Sequence, residues 1–353
     1  MRNGVLRIMR DMRFTVPNLT PDLGGAASLL YELGGMTIFH DAAGCCENYA
    51  AFDEPRLMKS ASMVYSSSLL HMDAVLGNDE PLVAGAVETA ARLKPRFIAI
   101  LGTPVPSVIG MDLDGIAAEI ESRAGIPALA VHTGGFEPYT SGAGKALRTL
   151  LERFVREPRG ERAGVNLLGA TPLDFDAGLI ARMKRTLEGA GLYVNAALCM
   201  GASLEDVENA SNAAYNIAVS RAGLPAARYL EEHFGTPFDA FVPLTAAQAL
   251  RRGRLHETGA GKRALVVGEE IMARSLGDAL NEKGYRASFL SDGAAEDEIA
   301  RAAEGAELVI ADPLIRPLVS PPTEFIECPH RALSAHLFED RAPAQVIESL
   351  LGE

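Results

Sequence analysis

Tryptophan is absent from this 353-residue chain, and aromatic residues supply only 6% of it. Cysteine is scarce: four residues, unevenly spaced, are too few for the disulfide framework of a small secreted scaffold. No apolar run reaches the roughly 20 residues that cross a bilayer. The first residues lack the long apolar core of a secretory signal, so the cytoplasm is the expected compartment. Positive charge is also short. A formal net charge of −13 argues against nucleic acid or an anionic membrane as partner; a solvated acidic surface is its ordinary meaning. No G-x-G-x-x-G follows an apolar run, which removes the usual mark of a dinucleotide site. Gly144-Lys145 has Tyr139 where a P-loop needs glycine and Ala146 where it needs Ser or Thr; Gly261-Lys262 has His256 and Arg263 there. The chain is therefore expected to have no ATP site of its own. G-x-S-x-G and H-E-x-x-H are missing too.

What is present is an apolar, glycine-rich globular composition: 48% hydrophobic, 22% charged and 34 glycines, in a length that suits two or three domains. The most informative stretch is His40-Asp41-Ala42-Ala43-Gly44-Cys45, followed at once by Cys46. It lies between an apolar run at 36–39 and a helix-like segment. A strand, a small-residue loop and a helix start bring backbone N–H groups together, which lowers a thiol pKa and favours the metal-binding thiolate. Two readings stand: a redox or metal role for the thiols, or two small buried residues in a tight turn. Cys328-Pro329-His330, with His336 six residues on, is a second candidate cluster, but its spacing matches no metal template and an ordinary strand-end loop explains it as well. Cys199 follows an apolar run and reads as a buried structural thiol. His71, His132, His233 and His256 stand alone and read as surface or hydrogen-bonding residues.

Hydrophobic patterning predicts strands over 96–101, 128–131, 165–169, 192–198, 263–268, 286–290 and 307–311. Helices are predicted over 80–93, 111–124, 175–189, 271–283, 296–303 and 344–351. Ser203 has the spacing of a capping box to Asp206, and helical stretches around Pro225 are expected to end at Gly235-Thr236-Pro237-Phe238. Basic, glycine-containing linkers near 158–162 and 251–261 divide the chain into units 1–160, 161–255 and 256–353. Strands alternating with helices at this spacing imply parallel sheets covered on both faces. The expected fold is α/β, with three Rossmann-like parallel-sheet domains in series around a central interdomain cleft.

The order of these features resembles the component 1 family of nitrogenases and nitrogenase-like oxidoreductases. That group includes the dark-operative protochlorophyllide and chlorophyllide reductases and the reductase of nickel-tetrapyrrole biosynthesis. His40 to Cys45 is similar to the family's H-G-P-x-G-C loop, which supplies a cluster-binding cysteine. Ser66-Ser67-Ser68 with Gly77-Asn78 resembles the segment before its G-G-x-x-x-L helix, and Thr103 to Asp112 resembles T-C-x-x-x-x-I-G-D-D. Thr133-Gly134-Gly135-Phe136 is similar to its strand-end G-F, and Val165 to Gly169 to V-N-x-x-G. Ala213-Ala214-Tyr215-Asn216 through Phe238 resembles its helix ending in Y-G-I-P. The resemblance spans nearly the whole chain.

Departures from the family are equally specific. Further ligand cysteines are expected near Thr20 or Pro21 and at Pro104, and neither is there. The cysteine that holds the iron–molybdenum cofactor belongs near Val219-Ser220 and is missing. A nitrogen-reducing subunit is therefore not expected. The resemblance implies a reductase subunit, hence an enzyme only as part of a complex. Electrons are relayed from an ATP-dependent iron protein through a [4Fe–4S] cluster to a substrate in the interdomain cleft. It implies Cys45 as a metal ligand, with Cys46 as a further candidate and Asp41 or Asp53 as substitutes for a thiolate. A homodimer or a related second subunit completes the ligand set. Cofactor-binding residues are expected at His40, Gly44, Thr103, Gly134 and Gly135, and strand ends at Cys199, Ser220, Cys328, His330 and His336 are further pocket candidates; no catalytic acid is assigned. The alternative is a non-catalytic scaffold or carrier for metallocofactor assembly. A sugar-binding α/β protein of periplasmic type is a third reading, which the missing signal disfavours.

Overall fold

The computed structural model describes residues 13, 15–17, 19–254, 259–338 and 340–352. His256, the expected boundary between 255 and 256, and the first residues all lie outside this range. Three parallel four-stranded sheets follow one another along the chain. The first contains β1 (Met36–Phe39), β2 (Met63–Ser66), β3 (Ile98–Leu101) and β4 (Ala128–Val131) in the order β2-β1-β3-β4. The second contains β5 (Val165–Ala170), β6 (Val194–Cys199), β7 (Tyr215–Ala218) and β8 (Phe238–Ala240) in the order β6-β5-β7-β8. The third contains β9 (Arg263–Gly268), β10 (Arg286–Ser291), β11 (Leu308–Ala311) and β12 (Glu324–Glu327) in the order β10-β9-β11-β12.

The same topology recurs three times, so each sheet has its switch point between its first and third strands. Loops after those strands form the crevice where such sheets bind ligands. In the first sheet Met36 is level with both Met63 and Ile98, and Ile98 with Ala128. All four strands therefore end at one height, and the loops at 40, 67, 102 and 132 emerge side by side. Central β3 is buried throughout, as the uninterrupted apolar run of a parallel sheet requires.

Most elements expected from patterning are present, among them the helices Glu80–Leu93 and Ala177–Gly189 and the Ser203–Asp206 capping box. Four short strands were not expected: β2, β7, β8 and β12. The segment 213–216, expected to open a helix, instead leads into β7, which lies between β5 and β8. The helix begins only at Leu224, with Pro225 in its first turn, where a missing N–H is harmless. A four-residue apolar run carries no period that separates strand from helix.

The units share their cores. Leu29, Leu30, Leu147 and Leu150 pack with Leu168, Ala218 and Leu230 of the second sheet region. Val165, Met183 and Leu187 pack with Leu276, Leu280, Ile347 and Leu351, because the last helix, Pro343–Leu351, returns to the helix Ala177–Gly189. The helices Asp22–Leu30 and Tyr139–Phe154 touch backbone to backbone. A Cβ at Gly25 would lie 2.0 Å from the Tyr139 carbonyl oxygen, and one at Gly142 would lie 1.8 Å from that of Asp22. Only glycine permits that approach. No helix among the described residues is long and apolar enough to cross a membrane.

Candidate metal centre

The loop after β1 turns through Ala43 at φ +90° into a five-residue helix, Gly44–Asn48. That left-handed residue aims the helix start back at Asp41. The Asp41 carboxylate accepts the N–H of Cys45 at 2.7 Å and that of Cys46 at 3.3 Å through Oδ2, and the Ser66 hydroxyl at 2.6 Å through Oδ1. Its carbonyl accepts Leu69 N–H at 2.6 Å. One buried carboxylate thus ties the loops after β1 and β2 together. Both thiols are half-buried.

The electrostatics reverse the expectation from sequence. Burial pushes the Cys45 thiol up, and the neighbouring Asp41 charge adds to it. Burial, then Asp41 and Glu47, pushes Cys46 up to about 11. The N–H groups expected to favour thiolate exist, but a carboxylate already takes them and presents its own negative charge to the sulfurs. Asp41 is accordingly a tether rather than a free ligand. Asp53 is enclosed as well, accepting the Thr20 hydroxyl at 3.1 Å. Beneath the turn, Glu54 binds Arg56 through two contacts of 2.7 and 2.9 Å and accepts the Tyr49 hydroxyl at 3.0 Å. All three side chains are buried, giving the turn a rigid base.

The neighbouring candidates are close by but internally bonded. His40 is buried, with Nδ1 2.9 Å from the Ser67 hydroxyl and Nε2 3.2 Å from Met111 Sδ. Burial lowers its pKa against the opposing pull of Asp79 and Asp41. The Thr103 hydroxyl donates to the His40 carbonyl at 2.7 Å, closing the switch point between β1 and β3. Ser220 does the same in the second sheet, donating to the Gly169 carbonyl at 2.6 Å. Gly134 and Gly135 give their N–H groups to the Asp22 carboxylate at 3.0 and 2.7 Å. The Pro104 ring sits against Gly135. Gly44 faces open space.

Residues 22–252 match the model of the family described as nitrogenase component 1 type oxidoreductase. The chain belongs to that family. Among curated relatives, a subunit of the light-independent protochlorophyllide reductase of Nostoc punctiforme is 28% identical over 188 residues, 50% of this chain and 37% of the relative. The nitrogenase iron-molybdenum cofactor biosynthesis protein NifE of Clostridium pasteurianum is 29% identical over 210 residues, 57% of this chain and 44% of the relative. The nitrogenase molybdenum-iron protein alpha chain of the same organism is 28% identical over 180 residues, 50% and 33% respectively. The matches span less than half the length of these relatives. A solved structure titled "Nitrogenase Cp1 at pH 6.5" superposes with a TM-score of 0.69 at 14% identity, covering 98% of this chain and 96% of that one, which establishes the fold.

In this component 1 chain, no group of three or more His, Cys, Asp or Glu side chains is arranged to hold a metal ion among the described residues. The two thiols of the turn are fewer than the roughly four protein ligands an iron–sulfur group takes. Beside the turn, the short helices His71–Leu76 and Pro104–Ile109 touch each other and expose apolar residues, Leu76 at 71% and Val108 at 76%.

The remaining candidates lie elsewhere. Cys199 is buried at φ +139°, its Sγ donating to the Ser28 carbonyl at 3.6 Å, and burial pushes it up to about 12. Cys328 packs against the shared core of the second and third sheets. His336 stacks on Phe52 with ring centroids 5.5 Å apart. His330 does not join Cys328 or His336 in a ligand cluster; it sits among carboxylates. Its Nε2 is 3.1 Å from Asp174 Oδ1 and its Nδ1 2.9 Å from Asp292 Oδ2. Tyr139 donates to the same Asp174 oxygen at 2.5 Å. Sequence reasoning missed Tyr139, Asp174, Asp292 and the Glu54–Arg56 pair. A signal existed for part of it: Glu269, Asp292 and Asp312 each directly follow a strand of the third sheet.

Proposed function

We propose that this chain is a subunit of a nitrogenase-like reductase that holds a [4Fe–4S] cluster through Cys45, with Cys46 as the further thiolate, at a face shared with a second copy of itself. In this reading it takes electrons from a separate ATP-hydrolysing iron protein and delivers them to a substrate held between the three sheets. ATP-driven partners of this kind set the reaction in the cytoplasm. The carrying observation is two adjacent, half-buried thiols on a turn whose Asp41 carbonyl binds the Leu69 N–H, just before the exposed apolar helix His71–Leu76, in a family chain that has Pro104 and Thr20-Pro21 where further cysteines are expected. Such a cluster takes about four protein ligands, mostly thiolates. One chain offers two, and a two-fold pair offers four. The bound group would supply one-electron storage and transfer. Asp41 orients both cysteine N–H groups, and the Glu54–Arg56–Tyr49 base holds the turn. His40 and Thr103, joined by the bond from the Thr103 hydroxyl to the His40 carbonyl, brace the loop behind the turn. Gly44 opens it to the outside, and Gly134 and Gly135 are held by Asp22 on the neighbouring strand-end loop.

The apolar surface supports the same partner. Leu70, Val75, Leu76, Val105, Val108 and Ile109 are exposed and have the composition of an interface core rather than of a solvated face. Units 1–160, 161–255 and 256–353 are the proposed domains, supported by one sheet falling within each. Binding must displace protons from thiols whose pKa is raised, so loading strengthens as pH rises. The test is anaerobic purification with iron and sulfide analysis and a measured oligomeric state. About four irons per dimer are expected, lost in Cys45→Ala. An iron-free wild-type protein without cluster absorption would sink the reading.

A second reading is a scaffold or carrier in metallocofactor assembly. It is supported by the filled ligand positions, with Pro104 packed on Gly135 and Asp22 on the glycine N–H groups, and by similarity to a cofactor biosynthesis protein. Turnover with an iron protein and ATP separates the two; transfer of bound cofactor to an acceptor without turnover selects the scaffold.

A further inference from the structure

Strand-end loops of the second and third sheets and the start of the helix Tyr139–Phe154 meet around the His330 ring. Its side chain is 11% exposed, and those of Asp174 and Asp292 are 1% and 7% exposed. Asp174 follows β5 and accepts three donors from three parts of the chain: the Tyr139 hydroxyl, the Thr171 hydroxyl at 2.7 Å, and His330. Asp292 follows β10. Asp312 follows β11 and accepts the backbone N–H of His330 at 2.7 Å and of Leu314 at 2.9 Å. Glu269 follows β9 and accepts N–H groups of Arg221, Ile271 and Met272 at 2.8 to 2.9 Å. Arg13 donates to the Asp292 carbonyl.

We propose that His330 is a proton-dependent latch that holds the strand-end crevice shut between the second and third sheets, with Tyr139 extending the hold to the first. The geometry carries the inference. Nε2 bonds Asp174 Oδ1 at 3.1 Å and lies 3.3 Å from the Tyr139 hydroxyl. Nδ1 lies 2.9 Å from Asp292 Oδ2 as an ion-pair contact outside hydrogen-bond geometry, and neither of those two atoms has a hydrogen-bond partner among the described residues. A neutral ring has one N–H, so at most one of the two carboxylates receives it; the Tyr139 hydroxyl beside Nε2 is already given to Asp174. Only the imidazolium places positive charge between Asp174 and Asp292, and loss of that proton to water leaves both enclosed carboxylates without their cation.

The surrounding groups act in the same direction. Burial alone would lower the His330 pKa, but the bonds to Asp174 and Asp292 win and hold it well above the ordinary value. A raised imidazole pKa stabilises the closed form fully below the unfolded pKa and loses that contribution as pH rises through the folded one. Burial, then Asp174, raises the Glu269 pKa as well, so rising pH adds a further negative charge beside the junction. The latch does not depend on the cluster proposed at Cys45.

Amide hydrogen exchange, corrected for intrinsic pH dependence, tests this in the full chain between about pH 6 and pH 9.5. Segments 171–175 and 328–334 are expected to lose about tenfold or more of their protection reversibly as pH rises. Strand 98–101 should keep its protection, which separates latch opening from global unfolding. His330→Gln should expose both segments at every pH, with a flat profile. A flat wild-type profile, or a wild-type profile in His330→Gln, overturns the proposal. If that variant does not fold, the wild-type profile decides alone.

Discussion

The cysteine turn and the His330 junction are both loops at strand ends organised by buried carboxylates, yet at the turn one carboxylate holds backbone N–H groups and at the junction a pair flanks an imidazole. At the junction, Asp174 and Asp292 meet the imidazole between them, and donors from three units converge on Asp174. At the turn, Asp41 spends its carboxylate on two backbone N–H groups and the Ser66 hydroxyl, leaving two half-buried thiols packed against the edge of the core. The difference is in what each carboxylate faces: a cation at the junction, neutral thiols and backbone N–H groups at the turn. Buried charge without a partner is expensive, so the junction had to be closed within the protomer. A thiol is tolerated half-buried and neutral, so the turn needs no cation beside it.

Four measurements would sharpen or break this contrast. The largest effect belongs to the junction: His330→Ala leaves Asp174 and Asp292 enclosed without their cation and should destabilise the chain by about 3–5 kcal/mol, read as a lower midpoint in urea unfolding. A loss below about 1 kcal/mol would mean that water or another donor fills the junction. Next is Cys46 reactivity. With its pKa near 11, about two units above an ordinary thiol, alkylation at pH 8 should run about a hundredfold slower than in a free cysteine peptide. Asp41→Asn should recover part of that rate, and mass spectrometry of the modified peptides reports both. A fast wild-type rate would restore the helix-start argument made from sequence.

Gly142→Ala forces the helices Asp22–Leu30 and Tyr139–Phe154 apart and should cost about 1–3 kcal/mol, seen as a drop in thermal midpoint. The smallest effect belongs to the turn. In the isolated chain Cys45→Ala should change stability by less than about 1 kcal/mol. The same substitution should abolish iron binding, and a large stability loss would instead make Cys45 an ordinary packing residue.

Much of the fold was legible because the central strands are continuous apolar runs bounded by Gly and Pro, as at 98–101 and 263–268. β7 was not, since Tyr215–Ala218 is too short to carry a period and owes its conformation to pairing with β5 and β8. The family was legible from the order of loops around Cys45, Thr103 and Gly134. The state of those residues was not. Thr103 and Ser220 stand at switch points, but their hydroxyls are taken by the carbonyls of His40 and Gly169. Gly134 and Gly135 offer N–H groups, but Asp22, more than a hundred residues earlier, accepts them.

Residue order alone determined the alternation of strand and helix, the threefold parallel-sheet architecture and the place of the two adjacent thiols on a strand-end loop, because periodicity and small-residue loops act over a few residues at a time. Tertiary structure decided which charges meet: that Asp41 opposes thiolate formation at Cys45 and Cys46, and that His330 joins Asp174 and Asp292 rather than Cys328 and His336. Those outcomes depend on distances of about 3 Å between groups up to 156 residues apart, and electrostatics at that range is set by the packing of whole sheets.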